Sequence, residues 1–488
     1  MRKFFKTTNL LFLFVTLCCF LLLSGLSAQA ADYYVSPTGD DSANGGVDDP
    51  WKTVSNALTV VAQGDTIKLY PGTYDMSKES GGYIKVRYVS NLTITAVDPQ
   101  DRPILISPST TEYVIRVYST SPYTTISHLV LDNSVRTSGW HVNIWVDEAD
   151  FVTVDNCELK NGYTGVGGQL VKGLTVRNCV AYNMGSSGKT PETGNGGGFF
   201  LIGGNTSTNW DEKILIENNE VYNCGGDGFF TNSNFSSREI YNYIEVRNNN
   251  FHHNEEDGID LKDANNMLIH DNELHDNWAD GIVTHGEIPS TSVEFYNNKV
   301  YNNGWWGVQI SANCEGWKIF NNLIYNNASD LTYDYYYTSG ISNETDGNII
   351  AHNVFYNNGT TDGIKKHGGI TGTGTIVNNV FYNNPGEFGN IQESVTGDIY
   401  NNFVYPDSLG QTGTDAIISS DPGFKDAANG KFTLEETSVL RDAAVDIGIT
   451  FDHDNLTRPY LDSSIDIGPF EYTPIPKATL QGIKLQKF

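Results

Sequence analysis

A glycine followed by an apolar residue recurs through the middle of this chain, in Thr164-Gly165-Val166, Gly197-Gly198-Phe199, Asp227-Gly228-Phe229, Asp257-Gly258-Ile259, Asp280-Gly281-Ile282, Trp306-Gly307-Val308, Ser339-Gly340-Ile341 and Asp362-Gly363-Ile364. The copies are spaced at the period of a solenoid. A second column, upstream of the glycines from Gly228 onward, is asparagine: Asn219, Asn249, Asn272, Asn298, Asn322, Asn353, Asn379 and Asn402. Two columns that keep step this long restrict the chain to stacked repeats, each burying its apolar face on the next.

The repeat unit is made of strands. Ile214-Leu215-Ile216, Tyr243-Ile244-Glu245-Val246 and Val293-Glu294-Phe295 are short, β-branched or aromatic, and bounded by Asn and Gly. No copy carries a long stretch of 3.6-residue apolar spacing, so a helical repeat is excluded. The expected fold is all-β, a parallel β-helix in which equivalent residues form ladders about 4.8 Å apart. Asparagine suits an inward turn ladder, because its amide pairs with the copies above and below and its backbone tolerates the left-handed region.

The first thirty residues read as a secretory signal, with Arg2, Lys3 and Lys6, an apolar run from Leu10 to about Leu26, and Ala28-Gln29-Ala30 before Ala31. Export is therefore expected, to the cell exterior or periplasm, and no later run is long and apolar enough to span a bilayer. Of the six cysteines, Cys18 and Cys19 lie in that segment, leaving Cys157, Cys179, Cys224 and Cys314. Cys157 and Cys179 occupy one repeat position on successive rungs, either as a disulfide or as buried thiols. The net charge of −28 becomes −31 without the signal, 27 basic residues against 58 acidic. Nucleic acid is excluded as a partner, since it needs a basic footprint. An acidic polysaccharide requires a bound cation or a local basic cluster to reverse the field.

The expected organisation is a signal over 1–30, an N-terminal cap over 31–75, the β-helix over 76–405, a closing segment over 406–473 and a loosely held tail over 474–488. Within the cap, Lys52 to Ala62 reads as a short amphipathic helix with Val54, Leu58 and Val61 on one face, covering the first rung's open edge. Longer excursions fall at Ser186 to Gly197 and Thr332 to Ser339. The opening Tyr33-Tyr34-Val35-Ser36-Pro37-x-Gly39, then Gly64-Asp65-Thr66 and Pro71-Gly72-Thr73-Tyr74, and the closing Asp466-Ile467-Gly468-Pro469-Phe470-Glu471 resemble the pectate-lyase-like, right-handed parallel β-helix proteins of bacteria. That resemblance implies the fold and its handedness. It does not imply the reaction, since the superfamily hosts lyases, epimerases, hydrolases and binding proteins.

Strand alternation gives each rung a direction. Two positions after the first residue of each triplet the column is Phe229, Ile259, Ile282, Val308, Ile341 and Ile364, uniformly apolar and so inward. The positions three and five after the first residue of each triplet then face outward: Phe230, Asp260, Val283, Gln309, Ser342, Lys365, and Asn232, Lys262, His285, Ser311, Glu344, His367. Asp260, Lys262 and His285 therefore share one face, bordered at the turn by Asp227, Glu256, Asp257 and Asp280. Carboxylates on neighbouring rungs are the ligands that Ca²⁺ prefers. A Lys or His beside them is placed to remove a proton made acidic by a neutralised uronate carboxylate. Trp305 and Trp306 border this face as candidates for stacking on sugar rings. Lys365 and His367, about 14 Å away by rung spacing, are candidates for a distal sugar subsite.

The carboxylate pattern is similar to that of the family 9 polysaccharide lyases, which carry an Asp-Gly turn on one rung and Asp-Asp-Gly-aromatic-Asp on the next. Asp227 matches the first turn, and Glu256, Asp257 and Asp260 match the second, with Glu in place of the first Asp. The resemblance implies that these residues bind Ca²⁺. It also implies a catalytic lysine on the following rung, where this chain has Val283. Asp257-Gly258-Ile259-Asp260-Leu261-Lys262 further resembles the Tyr-Gly-x-Asp-x-His turn of secreted mannuronan C5-epimerases in spacing, with only Asp260 identical among the functional positions. The resulting expectation is a monomeric lyase that cleaves a uronic-acid polysaccharide by Ca²⁺-assisted β-elimination, with Lys262 or His285 as base. The alternatives are an epimerase, a glycoside hydrolase using Asp260 and Asp280, and a carbohydrate-binding solenoid without catalysis.

Overall fold

The computed structural model describes residues 30–108, 111–134, 140–185, 196–205, 207–232, 240–284, 290–328, 339–345, 347–359, 370–372, 374–385, 390–393, 395–407, 410–461 and 464–474. Parallel strands form three long sheets that wind into a right-handed solenoid. Sheet 1 has 14 strands, from Asp32–Val35 to Ile399–Tyr400; sheet 2 has 11, from Ile84–Val86 to Ile370–Gly372; sheet 3 has 13, from Thr73–Asp75 to Phe403–Tyr405. A rung runs from sheet 1 (Tyr241–Arg247) to sheet 3 (Asn250–His252), then to sheet 2 (Ile259–Leu261) and back to sheet 1 (Ala264–His270). Every neighbour within these sheets is one rung away, so side chains stack on their own repeat equivalents.

The asparagine column lies inside the corner between sheets 1 and 3. Asn249 Nδ2 donates to Asn272 Oδ1 at 3.0 Å and to the Ile216 carbonyl at 2.9 Å, while its Oδ1 accepts from the N–H and Nδ2 of Asn219 at 3.0 and 2.9 Å. Every side-chain hydrogen-bonding group of the buried amide is thereby satisfied. A second ladder runs through Asn254, Asn277, Asn303, Asn327, Asn358 and Asn384 at the corner after sheet 3. Each ladder residue follows a residue in the left-handed region, such as Asn248 (φ 54°), Asp271 (φ 56°) or Asp276 (φ 53°). That conformation costs Asn and Asp least among residues with a side chain, which accounts for the repeated Asn-Asn and Asp-Asn pairs. Cys179 stands in the first ladder, its N–H donating to Asn219 Oδ1 at 2.9 Å and its Sγ accepting from the Cys157 N–H at 3.4 Å. Both cysteines are buried, unbonded thiols.

The glycine column has a steric cause. A Cβ at Gly258 would lie 2.6 Å from the Gly281 carbonyl oxygen, and the same clash with the next rung recurs at Gly228, Gly281 and Gly307. At its glycine position the turn before sheet 2 is packed against its neighbour too closely for a side chain.

The N-terminal helix is shorter than its sequence pattern, covering only Val54–Ala57, with the Thr53 side chain accepting from the Asn56 N–H. The β-branched run Thr59-Val60-Val61 disfavours its continuation. Val54 and Ala57 are fully buried, while Leu58 and Val61 pack against the core from its edge. The segment 31–75 also supplies strands, since Asp32–Val35 pairs in parallel with Thr66–Leu69. Beyond Tyr405 the chain lies along the flank of the solenoid rather than only over its end. The hairpin of Phe424–Asp426 and Lys431–Leu434 sets Phe432 against Tyr325 and Tyr356 of sheet 3. Arg458 is buried in a 2.6 Å pair with Glu471 and donates to the Gly468 carbonyl and Asn321 Oδ1.

Candidate functional site

Sheet 2 carries the acidic residues. Its register sets Ile259 between Phe229 and Ile282, and Asp260 between Phe230 and Val283. Ile259 and Leu261 point into the core and are fully buried, so Asp260 between them points outward. Despite that direction Asp260 is only 4% exposed and Val283 only 2%. The outer face is covered here, and a charge on it needs a partner. Lys262, one position past the strand, supplies it: its Nζ pairs with Asp260 Oδ2, and its side chain stays partly exposed.

The turn before sheet 2 stacks three more carboxylates. Asp227 Oδ1 accepts the Asp257 N–H at 3.1 Å, Asp257 Oδ1 accepts the Asp280 N–H at 2.7 Å, and Asp280 Oδ1 accepts the Trp306 N–H at 2.8 Å. One oxygen of each thus does for the turn what asparagine does at the other corners. Carboxylate oxygens of Asp227, Asp257 and Asp260 lie within 4.8 Å of one another. Burial pushes Asp227 well above the usual carboxylate range, and repulsion from Asp260 and Glu256 adds to it. Asp257 is pushed up by burial and then by Asp280, Asp227 and Asp260; Asp280 rises by burial first. Burial acts to lower the Lys262 pKa, but attraction from Asp260, Asp227 and Asp257 outweighs it, so Lys262 is held as an ammonium. One ammonium faces several buried carboxylates, and this clustered oxygen set suits a hard divalent cation.

The remaining candidates separate. Glu256 is half-buried and close enough to repel Asp227, but it is outside the group of mutually close oxygens. Trp306 is buried, held by its N–H on Asp280, and Trp305 packs against Trp278 at 5.1 Å. His285, Lys365 and His367 lie outside the described residues. Val283 sits directly beside Asp260, so the position that the resemblance equips with lysine carries a methyl-bearing side chain. Sequence reasoning followed the outward column no further than Phe230. The same column continues upstream as Phe200, Gly167, Trp145 and Arg116. Extending the outward column toward the N-terminus would have found it.

Comparison with known proteins agrees with this architecture. Residues 33–199 match the family model of the Pel9A-like right-handed β-helix region, and residues 192–349 match that of the right-handed β-helix region. Among solved structures, a complex of XylC with xylose superposes with a TM-score of 0.51 at 12% identity, covering 90% of this chain and 99% of the other. Pectate lyase Pel9A gives 0.41 at 16% identity, with 92% and 98% covered. The A-module of an Azotobacter vinelandii mannuronan C-5 epimerase gives 0.45 at 18%, with 75% and 91% covered. No curated protein sequence matches. At these identities the likeness shows the fold alone, a right-handed β-helix, in agreement with the two family models.

Proposed function

We propose that this pectate-lyase-like right-handed parallel β-helix protein is a secreted polysaccharide lyase that cleaves a uronic-acid polysaccharide by β-elimination on the outer face of sheet 2. The observation that carries this reading is the convergence of Asp227, Asp257 and Asp260, with oxygens within 4.8 Å of one another, and the Lys262 amine on Asp260. The oxygen-only set and the excess of buried negative charge fit Ca²⁺. Asp227, Asp257 and Asp260 would hold it, with Glu256 at the margin. When bound, Ca²⁺ supplies charge neutralisation of a uronate carboxylate, which makes the C5 proton acidic. Secretion is supported by the basic, apolar and small-residue order of residues 1–30. Among the described residues, no helix is long and apolar enough to cross a membrane.

Among the described residues Lys262 is the group proposed to take that proton, and His285, the other candidate, lies outside them. The C5–H electron pair becomes the C4–C5 double bond, the C4–oxygen bond breaks, and the departing oxygen collects a proton. A base must be neutral, and the carboxylates around Lys262 hold it charged. Positive charge delivered to those carboxylates from elsewhere therefore serves the base as well as the substrate. The elimination also needs no second carboxylate acting as an acid, whereas a hydrolase would employ Asp280, whose Oδ1 is already committed to the Trp306 N–H.

Asp257→Ala and Asp260→Ala test the assignment. Each is expected to lower Ca²⁺ affinity in calorimetric titration and to reduce turnover of pectic or alginate substrates by at least a hundredfold. Full activity in excess chelator contradicts it.

A further inference from the structure

The outward column of sheet 2 changes character one rung before Asp260. The Phe230 and Phe200 rings stack at 4.1 Å, and Trp140 stands against Phe200 and Trp145 at 5.6 and 5.9 Å. Gly167 occupies the same column between Trp145 and Phe200, and a Cβ there would lie 2.4 Å from the Trp145 ring. The glycine lets the indole lie across the rung. Trp145 and Phe200 form the buried floor of this strip, while Trp140 and Phe230 remain partly exposed.

The far end of the strip is basic. Arg116 is the rung neighbour of Trp145, and Lys85 that of Arg116. Arg116 is already paired with Asp147 at 2.5 Å. Arg87 is exposed, with its guanidinium 3.6 Å above the Tyr118 ring, and Lys85 lies 4.7 Å above Tyr83. Neither Arg87 nor Lys85 makes an ion pair among the described residues. They sit side by side at the end of the aromatic strip, in a chain with 30 basic and 58 acidic residues. From Asp260 to Arg116 is five strand steps, about 24 Å, enough for several sugar rings laid along the solenoid axis.

We infer that this strip is a run of sugar subsites for an anionic polysaccharide, leading from Asp260 and Lys262 toward the N-terminal end, with Trp140 and Phe230 under the pyranose faces and Arg87 taking a carboxylate. Aromatic rings favour the apolar faces of sugars without selecting among them, and an exposed guanidinium supplies the charge preference. The occupant is therefore a carboxylate-bearing chain rather than a neutral one. The inference rests on the proposed function for its direction and substrate class, but binding to the strip does not require turnover.

The test is equilibrium binding by the full chain, followed through tryptophan fluorescence, with dimers and hexamers of galacturonate and of mannuronate, and with xylohexaose as a neutral control. One of the two acidic hexamers is expected to bind about tenfold more tightly than its dimer, the equivalent of about 1.4 kcal/mol. Arg87→Ala and Trp140→Ala should each remove most of that gain and leave dimer affinity unchanged; Arg87 is exposed, so its variant is expected to fold whatever Trp140→Ala does. Equal affinity for both lengths, no binding by either acidic hexamer, a gain that survives both variants, or an equal gain with xylohexaose overturns the inference. A protein that shows the length gain but forms no unsaturated product retains the strip and loses the lyase reading. A protein that forms unsaturated product without the length gain retains the lyase reading and loses the strip.

Discussion

At the scale of single residues, the site is defined by a shortage of positive charge. Asp260 is buried in mid-strand and its partner Lys262 is partly exposed. Lys262→Met leaves the carboxylates without their internal cation. In chelator this should cost roughly 1–3 kcal/mol, below the range for fully buried pairs because water reaches the lysine. Ca²⁺ should restore much of the loss in thermal unfolding, while elimination stays abolished. Unchanged stability in chelator would mean that the pair contributes nothing. The shared face was legible in the sequence, because strand alternation sets Asp260, Lys262 and Val283 on one side and the structure aligns Asp260 with Val283; the ion pair between Asp260 and Lys262 was not. Their burial was not legible. An outward direction is a property of one strand, whereas exposure depends on what adjacent rungs lay over it, here Phe230 on one side and Val283 on the other.

At the scale of elements, corners hold the solenoid together. Asn298 Nδ2 donates to Asn322 Oδ1 and to the Ile269 carbonyl, and its Oδ1 accepts from Asn272, all in a fully buried corner. Asn298→Ala strands these partners and should cost about 2–4 kcal/mol, read as a lowered midpoint in denaturant at unchanged slope. One ladder could be traced from sequence because it keeps a fixed offset from the strands of sheet 1. The second, through Asn277 and Asn303, was hidden by asparagine's abundance and emerged only once the corner after sheet 3 was placed. The helix over Val54–Ala57 fell short of its apolar pattern because spacing does not register the β-branched residues that end it. On the outer face of sheet 1, Glu245 is held down to about 2 by its hydrogen bond from His270, helped by Lys213 and Arg247. A depressed carboxylate stabilises fully above its unfolded value of about 4.5 and loses that contribution as pH falls toward 2. His270 is raised, so its share is complete below about 6.5 and is lost as pH rises through its folded value. Glu245→Gln should flatten the acid limb of stability against pH, and an unchanged limb would assign acid unfolding to other carboxylates.

At the scale of the whole molecule, the repeat and its framing motifs were enough to read a right-handed β-helix, because every rung repeats the same local rules. The role of the chain after Tyr405 was read only in part. Its hairpin and the buried Arg458–Glu471 pair pack along the flank of sheets 1 and 3, contacts between distant segments with no periodic signature. The acidic group lies on sheet 2, away from these contacts, and this is the face on which the proposed polysaccharide would bind. The most direct test of the central claim is to incubate the protein with pectic, alginate and glycosaminoglycan substrates, with Ca²⁺ or with chelator, recording ultraviolet absorbance and new reducing ends together. With Ca²⁺ the two should rise in step on one uronic-acid substrate, and neither should rise in chelator or with Asp260→Ala. Reducing ends without ultraviolet absorbance, or an undiminished rate in chelator, would contradict the account.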